Sequence, residues 1–209
     1  MTANSLQELY VEQLQDLYSA EQQIIKALPK MIEAAQSDEL RSALKEHLEV
    51  TRKQASRIET ICQELGEDAQ NEKCKGMEGV LKEGSDLLKE VSREVRDAAI
   101  IAAAQRVEHY EMAGYGTART YATLLGFPEA ASMLEQTLEE EKEADQTLSE
   151  LAEELNVQAL EAGESTEQEA EQGSNRGTRA KISAADPGRQ CEGAKRRARR
   201  HSYRARSLD

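Results

Sequence analysis

Apolar residues recur every three to four positions over four long stretches of this chain, and almost nothing interrupts them. In the first stretch the stripe is Leu6, Tyr10, Leu14, Leu17, Glu21, Ile24, Leu28 and Ile32. That spacing places all eight on one side of an α-helix, and a strand would scatter them over both faces. Asn4 and Ser5 suit the helix start, and Pro29 is expected to kink its last turns by removing one backbone donor. A second stripe follows the break at 36–38: Leu40, Leu44, His47, Leu48, Thr51, Ala55, Ile58 and Cys62, with Gly66 as its stop.

Residues 67–75 are polar and irregular, and 76–91 read as a short helix. A third long helix is expected over 94–125, closed by Gly126. Pro128 then fits the first position of a fourth, which runs to about Leu155 through Ala130, Leu134, Thr137, Leu138, Glu141, Asp145, Leu148 and Ala152. Short loops make helices one and two, and three and four, into antiparallel hairpins. The connection between the hairpins spans roughly thirty residues. The expectation is therefore an all-α, ferritin-like four-helix bundle over 1–159, with one long crossover containing a short helix.

Charge divides the chain. The whole carries −13, but residues 176–209 hold eleven Lys/Arg against three Asp/Glu, while 1–175 hold sixteen against thirty-seven. An acidic body of this kind repels phosphates, which argues against nucleic-acid binding by the bundle. Apolar residues thin out from Gly163, so 160–209 is expected to be a disordered tail, acidic and then basic. Its run KRRARRHSYRAR (195–206) reads either as an arm for nucleic acid or another anionic surface, or as a solvated extension. The longest apolar block, 98–104, is too short to cross a bilayer. The start lacks the basic and apolar pattern of a leader, and Cys62, Cys74 and Cys191 are odd in number without CxxC spacing. A cytoplasmic setting with reduced thiols is expected.

Three acids sit where leucines belong. Glu21 lies at the centre of the first stripe, and Glu141 and Asp145 on the midline of the fourth. A carboxylate in a packed face is costly unless it is paired or bound to metal. The rival account is a partly wet seam of protonated acids. On the second helix His47 lies on the apolar face, Thr51 near the midline and Glu49 well to one side.

The third helix has two apolar faces. Glu108 borders both, His109 shares one with Ala102, Met112 and Gly116, and Glu111 shares the other with Ala104, Tyr115 and Ala122. Spacing alone does not choose between His109 and Glu111, and one of them could face a partner subunit. Carboxylates and imidazoles together suit iron or manganese, with zinc also possible. No Glu-x-x-His is present, unlike the di-iron carboxylate pattern.

The strings DLYSAEQQIIKALPKM (16–31), HLE (47–49), KCKGMEG (73–79), VRDAAIIAAAQRVEHYEMAGYGT (95–117) and TLEEEKEAD (137–145) resemble the bacterial YciF/YciE family over about 1–157. These are stress-associated, ferritin-like proteins catalogued as a domain of unknown function. The resemblance implies a rubrerythrin-type bundle, a homodimer, a role under stress and a dimetal centre. It does not supply a reaction. Glu21, His47, Glu49, Glu108, His109, Glu111, Glu141 and Asp145 match the family's polar motif positions. Where that pattern can carry a histidine, completing Glu-x-x-His with Glu49, this chain has Arg52. The reading is then a stress-associated protein with a carboxylate-rich iron or manganese site, suited to Fe(II) oxidation by oxygen or peroxide, with Tyr18, Tyr110 or Tyr115 nearby. The alternative is a non-catalytic structural or interaction protein that has lost the complete site.

Overall fold

A computed structural model describes residues 3–70 and 73–182, with side chains described as far as Gly163. Five helices follow one another: α1 (Leu6–Ala34), α2 (Asp38–Glu64), α3 (Lys75–Glu90), α4 (Arg96–Leu125) and α5 (Pro128–Ile182). Helices α1, α2, α4 and the first part of α5 form the four-helix body, and α3 is the short helix of the crossover.

Local chemistry sets the ends. Ser5 Oγ accepts the Glu8 N–H at 3.1 Å and Ser37 Oγ accepts the Leu40 N–H at 3.2 Å, each satisfying a donor left free by the first turn. Gly126 closes α4 at φ 80°, a left-handed conformation that disfavours any side chain. There the Phe127 N–H bonds back to Ala122 at 2.9 Å. Pro128 opens α5 directly afterwards. Pro29 is accommodated within α1, near its end and on its exposed side.

Helix α5 continues through Ile182, beyond the expected end near Leu155. Residues 156–182 contain no proline, so nothing in the backbone forbids that continuation. The last buried side chain described is Ala159. The chain divides into a compact unit over Met1–Glu167 and a second over Gln168–Asp209, of which the described part, to Ile182, is helical backbone. Residues 183–209, with Cys191 and the basic run 195–206, lie outside the described residues.

The core has two apolar clusters. One gathers Tyr10, Leu14, Leu17, Ile58, Ile61, Tyr115, Leu134 and Leu138. The other gathers Ile24, Leu28, Leu40, Leu44, Met77, Ile100, Val107 and Leu148. On every long helix the first cluster lies to one side, along the chain, of a buried polar position and the second to the other. Those positions are Glu21 on α1, Thr51 and Gln54 on α2, Glu108 and Glu111 on α4, and Glu141 on α5. The bundle is thus an apolar layer, a polar layer and a second apolar layer. Each buried Leu or Ile contributes about 1.5–3 kcal/mol of transfer free energy, and that is the source from which the burial of the acids is offset.

The crossover is pinned to this body. Helix α3 packs on α4 and α1, with Met77 fully buried. Gly76 passes so close to Tyr110 that a Cβ there would lie 2.6 Å from the phenol oxygen.

Candidate metal centre

Four helices each send a carboxylic acid or an amide into the polar layer. Helix α4 contributes Glu108 and Glu111, three residues apart and so on one face, with Ala104, Tyr115, Ala118 and Ala122 continuing that face. The packing therefore selects the Glu111 side of α4. His109 is on the opposite side, two-thirds exposed, 3.5 Å from Asp145.

His47, Glu108, Glu111 and Glu141 bring one ligand atom each to positions all within 4.8 Å of one another, a grouping that can hold a metal ion. His47 Nε2 is 3.4 Å from Glu108 Oε1 without forming a hydrogen bond. Glu21 is fully buried beside this group, and Tyr115 donates its phenol proton to Glu21 Oε1. Thr51 Oγ donates to its own helix at His47 O, 2.8 Å away, and so offers the layer no proton.

Donors are scarce. Apart from the approach of Glu21 to Glu111 and of Glu108 to Glu141, where a protonated acid can donate to its neighbour, Glu21 Oε2, Glu108 Oε2, both oxygens of Glu111, Glu141 Oε2 and His47 Nε2 are buried with no hydrogen-bond partner. Buried polar atoms are nearly always satisfied, so five bare carboxyl oxygens and a bare imidazole nitrogen in one layer need an explanation. His47, Glu108, Glu111 and Glu141 could share one ion, and among the described residues no Lys or Arg forms an ion pair with these acids.

Protonation follows from the same scarcity. Burial, and then the Glu141 charge, push Glu21 well above the ordinary carboxyl range, with the Tyr115 hydrogen bond opposing. Glu108 is raised by burial and then by Glu141, Glu21 and Asp145. Glu111 is raised by burial and the charges of Glu21, Glu141 and Glu108. Burial lowers His47, against the pull of Glu141, and a neutral imidazole is the form that binds metal.

Three expected ligands stand elsewhere. Glu49 is at the surface in an ion pair with Arg52, both side chains more than half exposed. Arg52 therefore occupies no position in the layer. Asp145 lies at the rim, hydrogen-bonded by Gln105 at 3.1 Å, close enough for its charge to act on Glu108. Of Tyr18, Tyr110 and Tyr115 the last alone touches the acids of the layer: Tyr18 donates to Glu59 and Tyr110 to Asp16.

The sequence reading passed over Gln54, Glu140 and Arg57. Gln54 is fully buried and donates to Glu141 Oε1 and, at 3.2 Å, to Glu140 Oε2. Its signal was present, because it falls three residues after Thr51 and seven after His47 on the α2 stripe. A neutral glutamine simply attracts less notice there than an acid.

These features define a class: an all-helical, ferritin-like bundle with a long crossover and a buried, donor-poor layer of carboxyls at mid-height. The chain belongs to the family described as "Domain of unknown function (DUF892)", whose model matches residues 5–161. It is 42% identical over 154 residues to protein YciF of Escherichia coli K12, covering 73% of this chain and 93% of that protein. The crystal structure of the E. coli stress protein YciF matches with a TM-score of 0.70, covering 73% of this chain and 98% of the other. YcfI of Rhodopseudomonas palustris, described as a structural-protein candidate, is 41% identical at a TM-score of 0.68, over 70% and 94% of the two chains. A Xanthomonas campestris protein at 24% identity and TM-score 0.64 shares the fold. No described helix is long and apolar enough to cross a membrane.

Proposed function

We propose that this protein is a stress-associated metal-binding bundle whose central layer holds iron or manganese through His47, Glu108, Glu111 and Glu141, with Glu21 adjacent. The observation that carries the reading is the set of buried ligand atoms, drawn from three helices, that have no other partner. A harder ion is favoured over a soft one, because the donors are oxygens and one imidazole, and Cys62 and Cys74 take no part in the grouping.

The chain's residues divide the work. Neutral His47 presents Nε2. Glu108 and Glu111 would give up their protons to solvent as the cation is bound, so loading would be accompanied by proton release. Tyr115 holds one oxygen of Glu21 and leaves the other bare. The two apolar layers above and below exclude bulk water from the group. The chemistry that suits such a site is oxidation of Fe(II), as substrate, by dioxygen or hydrogen peroxide.

The test is metal content after anaerobic loading with Fe(II) or Mn(II) and removal of excess. At least one ion per chain is expected. Loading of the native chain no higher than that of Glu111→Leu overturns the reading.

The second reading is a structural or interaction protein, the description given to the R. palustris relative. Its support is that the raised carboxyls can remain protonated and neutral in the metal-free bundle. Both readings accommodate a homodimer, supported by the exposed second face of α4 with Ala102, His109, Ala113 and Leu124. Light scattering on the eluting peak measures it directly, and a monomer mass removes that part.

A further inference from the structure

Glu141 is the one member of the four-residue grouping held by an amide, and that amide is itself held. Gln54 Nε2 donates to Glu141 Oε1 and, at 3.2 Å, to Glu140 Oε2. Glu140 receives both terminal nitrogens of Arg57, Nη1 at 2.5 Å and Nη2 at 2.8 Å. Arg57 Nη1 also donates to Thr137 Oγ at 3.1 Å. The chain Glu141–Gln54–Glu140–Arg57 therefore runs between α2 and α5 from the buried layer to a half-buried ion pair.

The orientation of the amide follows from its neighbours. Gln54 has two N–H protons and one carbonyl oxygen, and carboxylate oxygens flank it on two sides. Turning the amide over would place its oxygen against them. With both protons used, Gln54 Oε1 is left buried without a donor. The two-pronged Arg57 pair fixes the Glu140 carboxylate, and Gln54 is pinned between it and Glu141.

We propose that Gln54 is the positioning residue of the metal site: it occupies one oxygen of Glu141 and leaves Oε2 as that residue's single free ligand atom. Arg57 and Glu140 fix the amide and so act on the site through it. A glutamate at position 54 would abut two carboxylates and could donate to neither. Neutrality and two N–H protons are what the position requires.

This inference rests on the metal-binding reading, and the test separates the two. Co(II) is titrated into the full native chain, Gln54→Leu, Arg57→Met, the double variant and Glu141→Leu, following the visible ligand-field bands and the metal-free melting temperature. Gln54→Leu should weaken Co(II) binding about 10- to 100-fold, the usual consequence of losing a partner that orients a ligand. It should also change the ligand-field spectrum of the Co(II) that binds, which a general loss of stability would not do. The double variant should bind no more weakly than Gln54→Leu, because Arg57 acts through the same amide. Where the leucine variant fails to fold, Gln54→Asn keeps the amide, withdraws it by one methylene and carries the same expectation. Native binding with Gln54→Leu within about threefold in affinity and unchanged in spectrum overturns this proposal and leaves the metal reading standing. Failure of the native chain to bind Co(II), Fe(II) or Mn(II) overturns both.

Discussion

Two groups of polar side chains lie inside this bundle, and they are built on opposite terms. At the crossover, Asp16, Cys74 and Tyr110 form a triangle. Tyr110 donates to Asp16 at 3.0 Å, and the Cys74 thiol lies 3.1 Å from the same carboxylate oxygen and 3.0 Å from the phenol. The sulfur also accepts the Met77 N–H that opens α3, while the Cys74 N–H goes to Ser19. One acid meets two protic donors, and every group is satisfied. In the central layer Glu21, Glu108, Glu111 and Glu141 meet a phenol and an amide between them, and five carboxyl oxygens are left over. A satisfied buried cluster ties elements together. A donor-poor one is stable only with protons or with a ligand, and that contrast is what supports the proposed division into a structural cluster and a binding one.

The largest effect should come from adding the ion. At a free Mn(II) concentration about 1,000 times the dissociation constant, binding stabilises the native state by about 4 kcal/mol. Glu111→Leu should abolish this increment, and Tyr110→Phe should keep all of it. Urea unfolding with and without metal measures both. An increment that survives in Glu111→Leu, or disappears in Tyr110→Phe, breaks the division between the two clusters.

Next comes pH. Glu21, Glu108 and Glu111 are raised above 4.5 in the folded chain, so above that pH the metal-free native state holds protons that the unfolded chain has lost. Their contribution is complete below pH 4.5 and is lost as pH rises through the folded values, at about 1.4 kcal/mol per pH unit for each proton involved. His47 is lowered and works the other way, removing stability as pH falls below 6.5. Above pH 6.5 the His47 contribution no longer changes, and metal-free stability should decline for as long as pH lies below the folded values of the acids. With metal bound the slope should reverse, since protons compete for the ligands. Unfolding midpoints in EDTA and in excess Mn(II) should therefore diverge with rising pH, and parallel curves would remove the protonated-acid account.

Single substitutions in metal-free protein should then differ in sign. Gly76→Ala drives a methyl into Tyr110 and should cost about 1–3 kcal/mol. Glu111→Leu removes a buried acid with two unsatisfied oxygens at similar volume and should stabilise by about 1–3 kcal/mol near pH 8. Thermal unfolding of the two variants beside the native chain is sufficient. Destabilisation by Glu111→Leu would show that its carboxyl has a partner in solution.

How much of this was legible depends on what each residue's position had to satisfy. Helix boundaries could be read because Ser5, Ser37, Gly126 and Pro128 each answer a local requirement of the backbone. Glu21 and Glu141 stood out as acids on otherwise aliphatic stripes, and both are fully buried. The choice between His109 and Glu111 could not be read, because both faces of α4 are rich in alanine and only contact with α1 and α5 decides which is covered. Gln54 was left out of the α2 stripe although its spacing from His47 and Thr51 fits it, since its role appears only when α5 brings Glu140 and Glu141 beside it. The end of α5 could not be read at Leu155, because no proline follows that residue and the helical backbone runs on to Ile182.

The smallest effect tests the point at which family pattern and packing part company. Glu49 matches a motif position, and a histidine three residues on would have made Glu-x-x-His. Here Glu49 faces solvent and pairs with Arg52 across one turn. An exposed pair of this kind contributes at most a few tenths of a kcal/mol. Glu49→Gln should leave stability within about 0.5 kcal/mol of native and metal affinity unchanged within error. Arg52→His should likewise leave the number of ions per chain where it was, because the new imidazole would stand on the solvent side of α2. Metal analysis of Arg52→His beside the native chain decides it. An additional ion would mean that α2 can rotate its Glu49 face inward, and the bare oxygens of Glu111 would then belong to a larger site than the four ligands gathered here.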